Sequence, residues 1–183
     1  EPDMKIHMTA VLLTCMIGLT GCMTHKNAVK LRQLDRAVAV MHPTAGNSVR
    51  GIVKFIQDGA RITVIADIEG LSPNAKHAFH IHQWGDCSSP DGKSAGSHYN
   101  PEGHEHGNPA ASSPRHAGDL GNLEADAAGK AHYERTVYNL TIADSHNPII
   151  GRALIIHKKH DDFGQPTGNA GSRMACGTIG VAK

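Results

Sequence analysis

The chain has 183 residues, a formal net charge of +1 and only 4% aromatic residues. That length fits one compact domain with a short appendage, and the near-neutral balance excludes both a basic field for nucleic acid and an acidic one for cation buffering. Twenty glycines suit a turn-rich β-protein better than a helical bundle, while fourteen histidines dispersed along the chain exclude a tag or a histidine tract.

In chain order, Met4-Lys5-Ile6-His7 supplies a positive start, followed by an apolar run over 8–19. The run is too short to span a bilayer, which takes about 20 residues. Leu19-Thr20-Gly21-Cys22 resembles a bacterial lipoprotein box, so a signal peptide over 4–21 and lipidation at Cys22 are expected. Met23, where an Asp would favour the inner membrane, leans by the same resemblance toward the outer one. An ordinary secretory signal with an incidental Cys22 is the alternative. Either reading predicts an extracytoplasmic protein, and the lipoprotein reading a periplasmic one on a membrane. Residues 22–35 are polar and without β-periodicity, and read as a tether.

The domain is expected over 36–183. Ala37–Met41 alternates and ends at His42-Pro43. Val49–Gln57 and Arg61–Glu69 flank Asp58-Gly59, a hairpin signal. Ala78–Gln83, Leu120–Ala125, His132–Tyr138, Ile150–Ile156 and Thr178–Val181 complete eight short strands with no helix between them. The pattern predicts an all-β antiparallel sandwich or barrel. Two long connections, 84–117 and 158–176, carry most of the histidines, and connections of that length in a compact domain point to function. Cys15 and Cys22 lie in the N-terminal segment. Cys87 and Cys176 lie in the domain, and a long-range bridge between them would imply an oxidising compartment.

His80-Ile81-His82 puts two imidazoles on one face of a strand, where both can reach one ion. Alone, that motif is weak. His98, His106 and His116 follow, with Asp119 three residues after His116; three histidines and a carboxylate suit tetrahedral zinc. His157 ends a late strand, and sites with more than three imidazoles suit copper as well.

Six segments carry a specific resemblance: FHIHQWGDC (79–87), GSHYNP (96–101), EHGNP (105–109), RHAGDLGN (115–122), IIGRALIIHKKHDD (149–162) and GNAGSRMACGTIG (168–180). In this order they resemble the copper/zinc superoxide dismutases, over about 36–183. The resemblance implies an eight-stranded Greek-key β-barrel with two functional loops. It implies one copper per subunit at His80, His82, His98 and His157, and one zinc at His98, His106, His116 and Asp119. His98 would bridge the metals, and Asp161 would tie a copper histidine to a zinc histidine. Arg173 would stand beside the copper, with Thr167 at the channel mouth and a Cys87–Cys176 disulfide. The implied activity is dismutation of superoxide to dioxygen and hydrogen peroxide in the cell envelope, with Arg173 and His98 as the catalytic residues.

The segment from His157 to Arg173 is shorter than in the eukaryotic enzymes, and that from Cys87 to His98 is longer, as in many bacterial members. The first difference bears on electrostatic steering, although Lys158 and Lys159 are present. The second leaves the assembly open, a homodimer included. His42, His77, His132 and His146 read as surface or turn residues, His104 as a loop residue, and Trp84 as packing. Glu124, Asp126 and Asp144 read as solvated turn charges. A copper or zinc carrier, a copper-chaperone-like relative and an interaction module of the same architecture are the competing functions.

Overall fold

A computed structural model describes residues 34–144 and 146–183. The expected signal segment, Cys22 and the tether up to residue 33 lie outside the described residues. Eight strands follow in order: β1 (Arg36–Pro43), β2 (Arg50–Asp58), β3 (Arg61–Glu69), β4 (Lys76–His82), β5 (Asp119–Glu124), β6 (Ala131–Val137), β7 (Ala153–His157) and β8 (Arg173–Val181). A short 3-10 turn at Lys93–Ala95 interrupts the long loop after β4.

All pairings are antiparallel, in the order β5-β4-β7-β8-β1-β2-β3-β6. Consecutive strands β3 and β4 lie far apart in that order, and β6 returns to pair with β3. This is Greek-key connectivity, wrapped into a nearly closed barrel. Local chemistry sets the register of the first hairpin. Gly59 takes φ of +59°, and Asp58 faces Arg61 across the two-residue turn, where they form an ion pair. In β3, Ile62, Val64, Ala66 and Ile68 point into the barrel, and Arg61 and Asp67 point out.

β4 and β7 depart from this alternation, because both of their faces are buried. Phe79, Ile81, Leu154 and Ile156 fill the barrel. On the opposite face, Ala153 and Ile155 pack with Cys176 and with Ala95 of the long loop. The loop therefore has an apolar footing on the outside of the barrel. The Cys87–Cys176 disulfide fixes it there, with a Cα–Cα distance of 5.7 Å, and Thr178 Oγ1 donates to Gly85 O beside it at 2.7 Å. A bridge closing a loop this long stabilises by roughly 4–5 kcal/mol in the chain-entropy model.

The predicted strand ends differ most from the structure at the starts of β7 and β8. β7 begins at Ala153, because Ile149–Arg152 closes a turn in which Gly151 has φ of +78° and Arg152 N–H donates to Ile149 O at 3.0 Å. β8 begins five residues earlier than expected. Its first half is buried continuously, which hides the two-residue period.

Candidate metal centre

His80 and His82 leave β4 on its outer face, and His157 ends β7 beside them. His98 comes from the long loop and makes an isolated bridge to His82. Ligand atoms of His80, His82, His98 and His157 lie within 4.8 Å of one another, and all four residues are buried. Three of the rings are oriented by a bond from the nitrogen that faces away. His80 Nε2 meets Asp161 Oδ2 at 2.8 Å, His82 Nδ1 meets Gly96 O at 2.9 Å, and His157 Nδ1 meets Gly171 O at 3.3 Å. Each bond makes that nitrogen the donor and leaves a lone pair on the other. The other three, His80 Nδ1, His82 Nε2 and His157 Nε2, are buried without a partner. Unpartnered lone pairs turned toward one point are what a bound cation requires.

A second cage adjoins the first. Asp119 Oδ1 lies 3.1 Å from His98 Nδ1, 3.0 Å from His106 Nδ1 and 3.2 Å from His116 Nδ1. His116 Nδ1 and His98 Nδ1 are 3.3 Å apart. A tetrahedral ion with bonds of about 2.0–2.1 Å separates its donors by about 3.3–3.4 Å. These four separations lie close to such edges, and the set of three imidazoles and one carboxylate suits zinc. Asp119 Oδ2 is turned away and accepts the Gly107 N–H at 3.0 Å. His98 belongs to both cages. Its Nδ1 faces the second, which leaves Nε2 for the first.

Asp161 joins the cages from behind. Its Oδ2 meets His80 Nε2 and its Oδ1 meets His106 Nε2, each at 2.8 Å. These three residues also come close enough to hold an ion. However, both imidazoles already donate here, so the contact is a hydrogen-bonded tie and the opposite nitrogens are the ones freed for metal. Asn122 holds the Asp161 backbone at both its N–H and its carbonyl, at 2.7 and 3.0 Å.

Burial pushes His80, His82 and His157 below the usual imidazole range and His98 down to about 4, so they stay neutral as ligands must. Burial also opposes charge on His106, but its contacts with Asp119 and Asp161 win and raise it to about 9. The same burial would raise both carboxyls. The surrounding imidazoles outweigh it and hold Asp119 and Asp161 well below the usual carboxylate range.

A cavity of about 590 Å³ opens onto His82, His98 and His157, with Arg173, Thr167 and Lys93 on its walls. Arg173 is fixed there by two 2.6 Å bonds, from Nη1 to Gly92 O and from Nη2 to Gly96 O. Its charge acts on His82 and His157. Lys158 and Lys159 are exposed and do not line this cavity.

The structure brings the candidate ligand residues together, with Asp161 behind both cages, Arg173 on the cavity wall and Cys87 bonded to Cys176. Two readings are corrected, and the first is His77, which is fully buried and is neither a surface nor a turn residue. It shares the parity of Phe79 and Ile81, the signal that could have found it. Ser72 N–H donates to its Nε2 at 3.3 Å, so its Nδ1 donates to His157 O at 2.9 Å and steadies a ligand's backbone. Trp84, expected to pack, is largely exposed. Gln165 was not anticipated. It pairs with the His106 backbone at both N–H and carbonyl, at 3.1 and 2.8 Å.

Fold and site together define a two-metal protein, a Greek-key barrel carrying on its outer face two imidazole cages that share one histidine. The sequence profile of the copper/zinc superoxide dismutases matches residues 49–179. A superoxide dismutase [Cu-Zn] of Schizosaccharomyces pombe is 46% identical, covering 80% of this chain and 98% of the relative. One from Paramecium bursaria Chlorella virus 1 is 39% identical over 96% of this chain and 94% of the relative. The copper chaperone for superoxide dismutase of Rattus norvegicus is 39% identical over 82% of this chain and 54% of its own length. The chain belongs to the copper/zinc superoxide dismutase family, which uses copper and zinc.

Proposed function

We propose that the chain dismutates superoxide, with copper at His80, His82, His98 and His157 and zinc at His98, His106, His116 and Asp119. The observation that carries this reading is the membership of His98 in both cages. When bound, copper supplies a one-electron redox couple, and zinc supplies fixed charge without redox chemistry. Two superoxide ions and two protons give dioxygen and hydrogen peroxide, one anion being oxidised and the other reduced. His98 would hold copper through Nε2, and where that nitrogen is free of the metal it holds a proton that passes to the anion being reduced. Arg173, permanently charged and clamped by two carbonyls, draws the small anion to the cavity floor and orients it.

The test is metal analysis together with a superoxide assay on the purified protein. Arg173→Ala is expected to lower the rate at least tenfold while copper content is unchanged, and full activity in that variant would sink the assigned role. The likeness to a copper chaperone favours a second reading. It predicts bound metal without turnover, which the same assay separates.

The location of this activity is part of the proposal. A signal peptide over 4–21, lipidation of Cys22 and a tether over 22–35 ahead of a domain over 36–183 would make it an envelope enzyme on a membrane. The Leu19–Cys22 box supports this, as does a disulfide suited to an oxidising compartment. Cys22→Ala is expected to release the protein into the soluble fraction, and unchanged membrane fractionation would exclude the anchor. The proposed assembly is a homodimer, supported by apolar side chains exposed on neighbouring strands: Val40, Ile52 and Val181, with Trp84 after β4.

A further inference from the structure

β5 and β6 are the two ends of the strand order, and no ladder joins them. Side chains cross this seam instead. Tyr133 Oη donates to Leu120 O at 2.8 Å, and Arg135 Nη1 reaches Pro109 O at 3.5 Å. Arg115 arrives at the same place from the long loop, one residue before His116. Its charge acts on Arg135 and on the Tyr133 hydroxyl.

Arg135 also donates to the Tyr133 hydroxyl, but neither of these half-buried guanidinium groups has an acceptor for every donor. The Nε atoms of both are buried with no partner among the described residues. Arg115 makes no hydrogen bond to any described residue. The carboxylate acting on it is Asp119, and both oxygens of that group are committed, Oδ1 to three imidazoles and Oδ2 to Gly107. A guanidinium cannot escape by losing its proton. The two charges repel, and a leftover buried donor costs free energy on each. One anion with several oxygens resolves both problems, since it accepts from each planar fork and neutralises the pair.

We propose that Arg115 and Arg135 form a binding site for a small oxyanion of the phosphate and sulfate class, set across the seam of the barrel. The anion ties the loop that carries His116 to the wall at β6, so zinc retention follows anion concentration. That consequence rests on the zinc reading, whereas the anion site does not.

The site is tested by calorimetric titration of inorganic phosphate into the metal-loaded full chain carrying Arg173→Ala, which removes the cavity's own guanidinium. Sodium chloride at matched ionic strength is the control, and sulfate is titrated in parallel. One phosphate site is expected, weakened at least tenfold by adding either Arg115→Ala or Arg135→Ala. Zinc transfer to a chromophoric chelator is expected to slow several-fold with phosphate. Arg135→Glu, which supplies a fixed carboxylate, is expected to abolish phosphate binding and to slow zinc transfer without it. No phosphate signal in the parent, or a signal unchanged in both Arg→Ala variants, overturns the site. Phosphate binding with unaltered zinc transfer removes the tie to zinc. A protein that holds no zinc yet binds phosphate at these arginines disproves the metal reading alone.

Discussion

The Asp161 carboxylate accepts from two imidazoles of different cages at 2.8 Å each, and it has no room to move. A Cβ on Gly168 would collide with Asp161 Oδ1 and stand 2.7 Å from His106 Nε2, and with φ of +72° that residue is glycine for two reasons. Asparagine at 161 keeps the volume but offers one acceptor and one donor, so its amide NH₂ meets a ring N–H. Asp161→Asn is therefore expected to weaken zinc retention about 10- to 100-fold, as loss of outer partners does at metal sites. Competition against a chelator measures it, and unaltered affinity would assign Asp161 no part in retention. The same residues give the metal-stripped protein an acid sensitivity of definite sign. His80, His82, His98 and His157 have folded pKa values below the unfolded value of about 6.5. As pH falls below that value the unfolded chain takes up protons the folded one refuses. Each such group removes at most about 1.4 kcal/mol per pH unit until its folded pKa is reached, about 4 for His98. His106 runs the other way, its contribution complete below about 6.5 and lost as pH rises through about 9. Urea midpoints of the stripped protein are expected to peak near neutrality and to fall clearly between pH 6.5 and 5. A flat profile would contradict the burial of these rings.

β4 divides its residues between two tasks by the parity of the strand. Phe79 and Ile81 pack the barrel, Phe79 edge-on to Tyr133 with ring centroids 5.4 Å apart, while His80 and His82 face the loop. Losing Phe79 would forfeit roughly 3–5 kcal/mol of packing, so the ligands stand on a stiff base. The long loop has little regular structure of its own, and its order is borrowed. The disulfide, the Ala95–Ile155 footing and the bonds from Arg173 to Gly92 and Gly96 each attach it to a strand. β3 was legible to the residue because its alternation is clean, with one face dry and one wet. β8 was not, since burial on both faces erases the period, and the start of β7 was lost because Ile149, fully buried, and Ile150, partly buried, sit in a turn yet read as strand residues. His77 was misread for a related reason: histidine types are mostly surface residues, and only its inward parity argued otherwise.

Across the whole molecule, the two loops occupy one outer face and leave β1 and β2 bare. Val40 and Ile52 are cross-strand partners, 49% and 46% exposed, an arrangement a second copy of the chain would cover. Ile52→Lys puts a charge into that contact and is expected to weaken dimerisation about 100-fold or more. Sedimentation at micromolar concentration checks it, and a wild-type chain that sediments as a monomer would dismiss the homodimer. The amino-acid sequence by itself determined the number and type of strands and the hairpin at Asp58-Gly59, and its family resemblance named the candidate ligand residues. Two-residue periodicity, turn chemistry and the donor atoms of a side chain are local properties. Only the tertiary structure decided which nitrogen of each histidine is free, that Asp161 spans both cages and that His77 braces His157. Those relations join residues far apart in the chain, and barrel register alone brings them within a few ångströms.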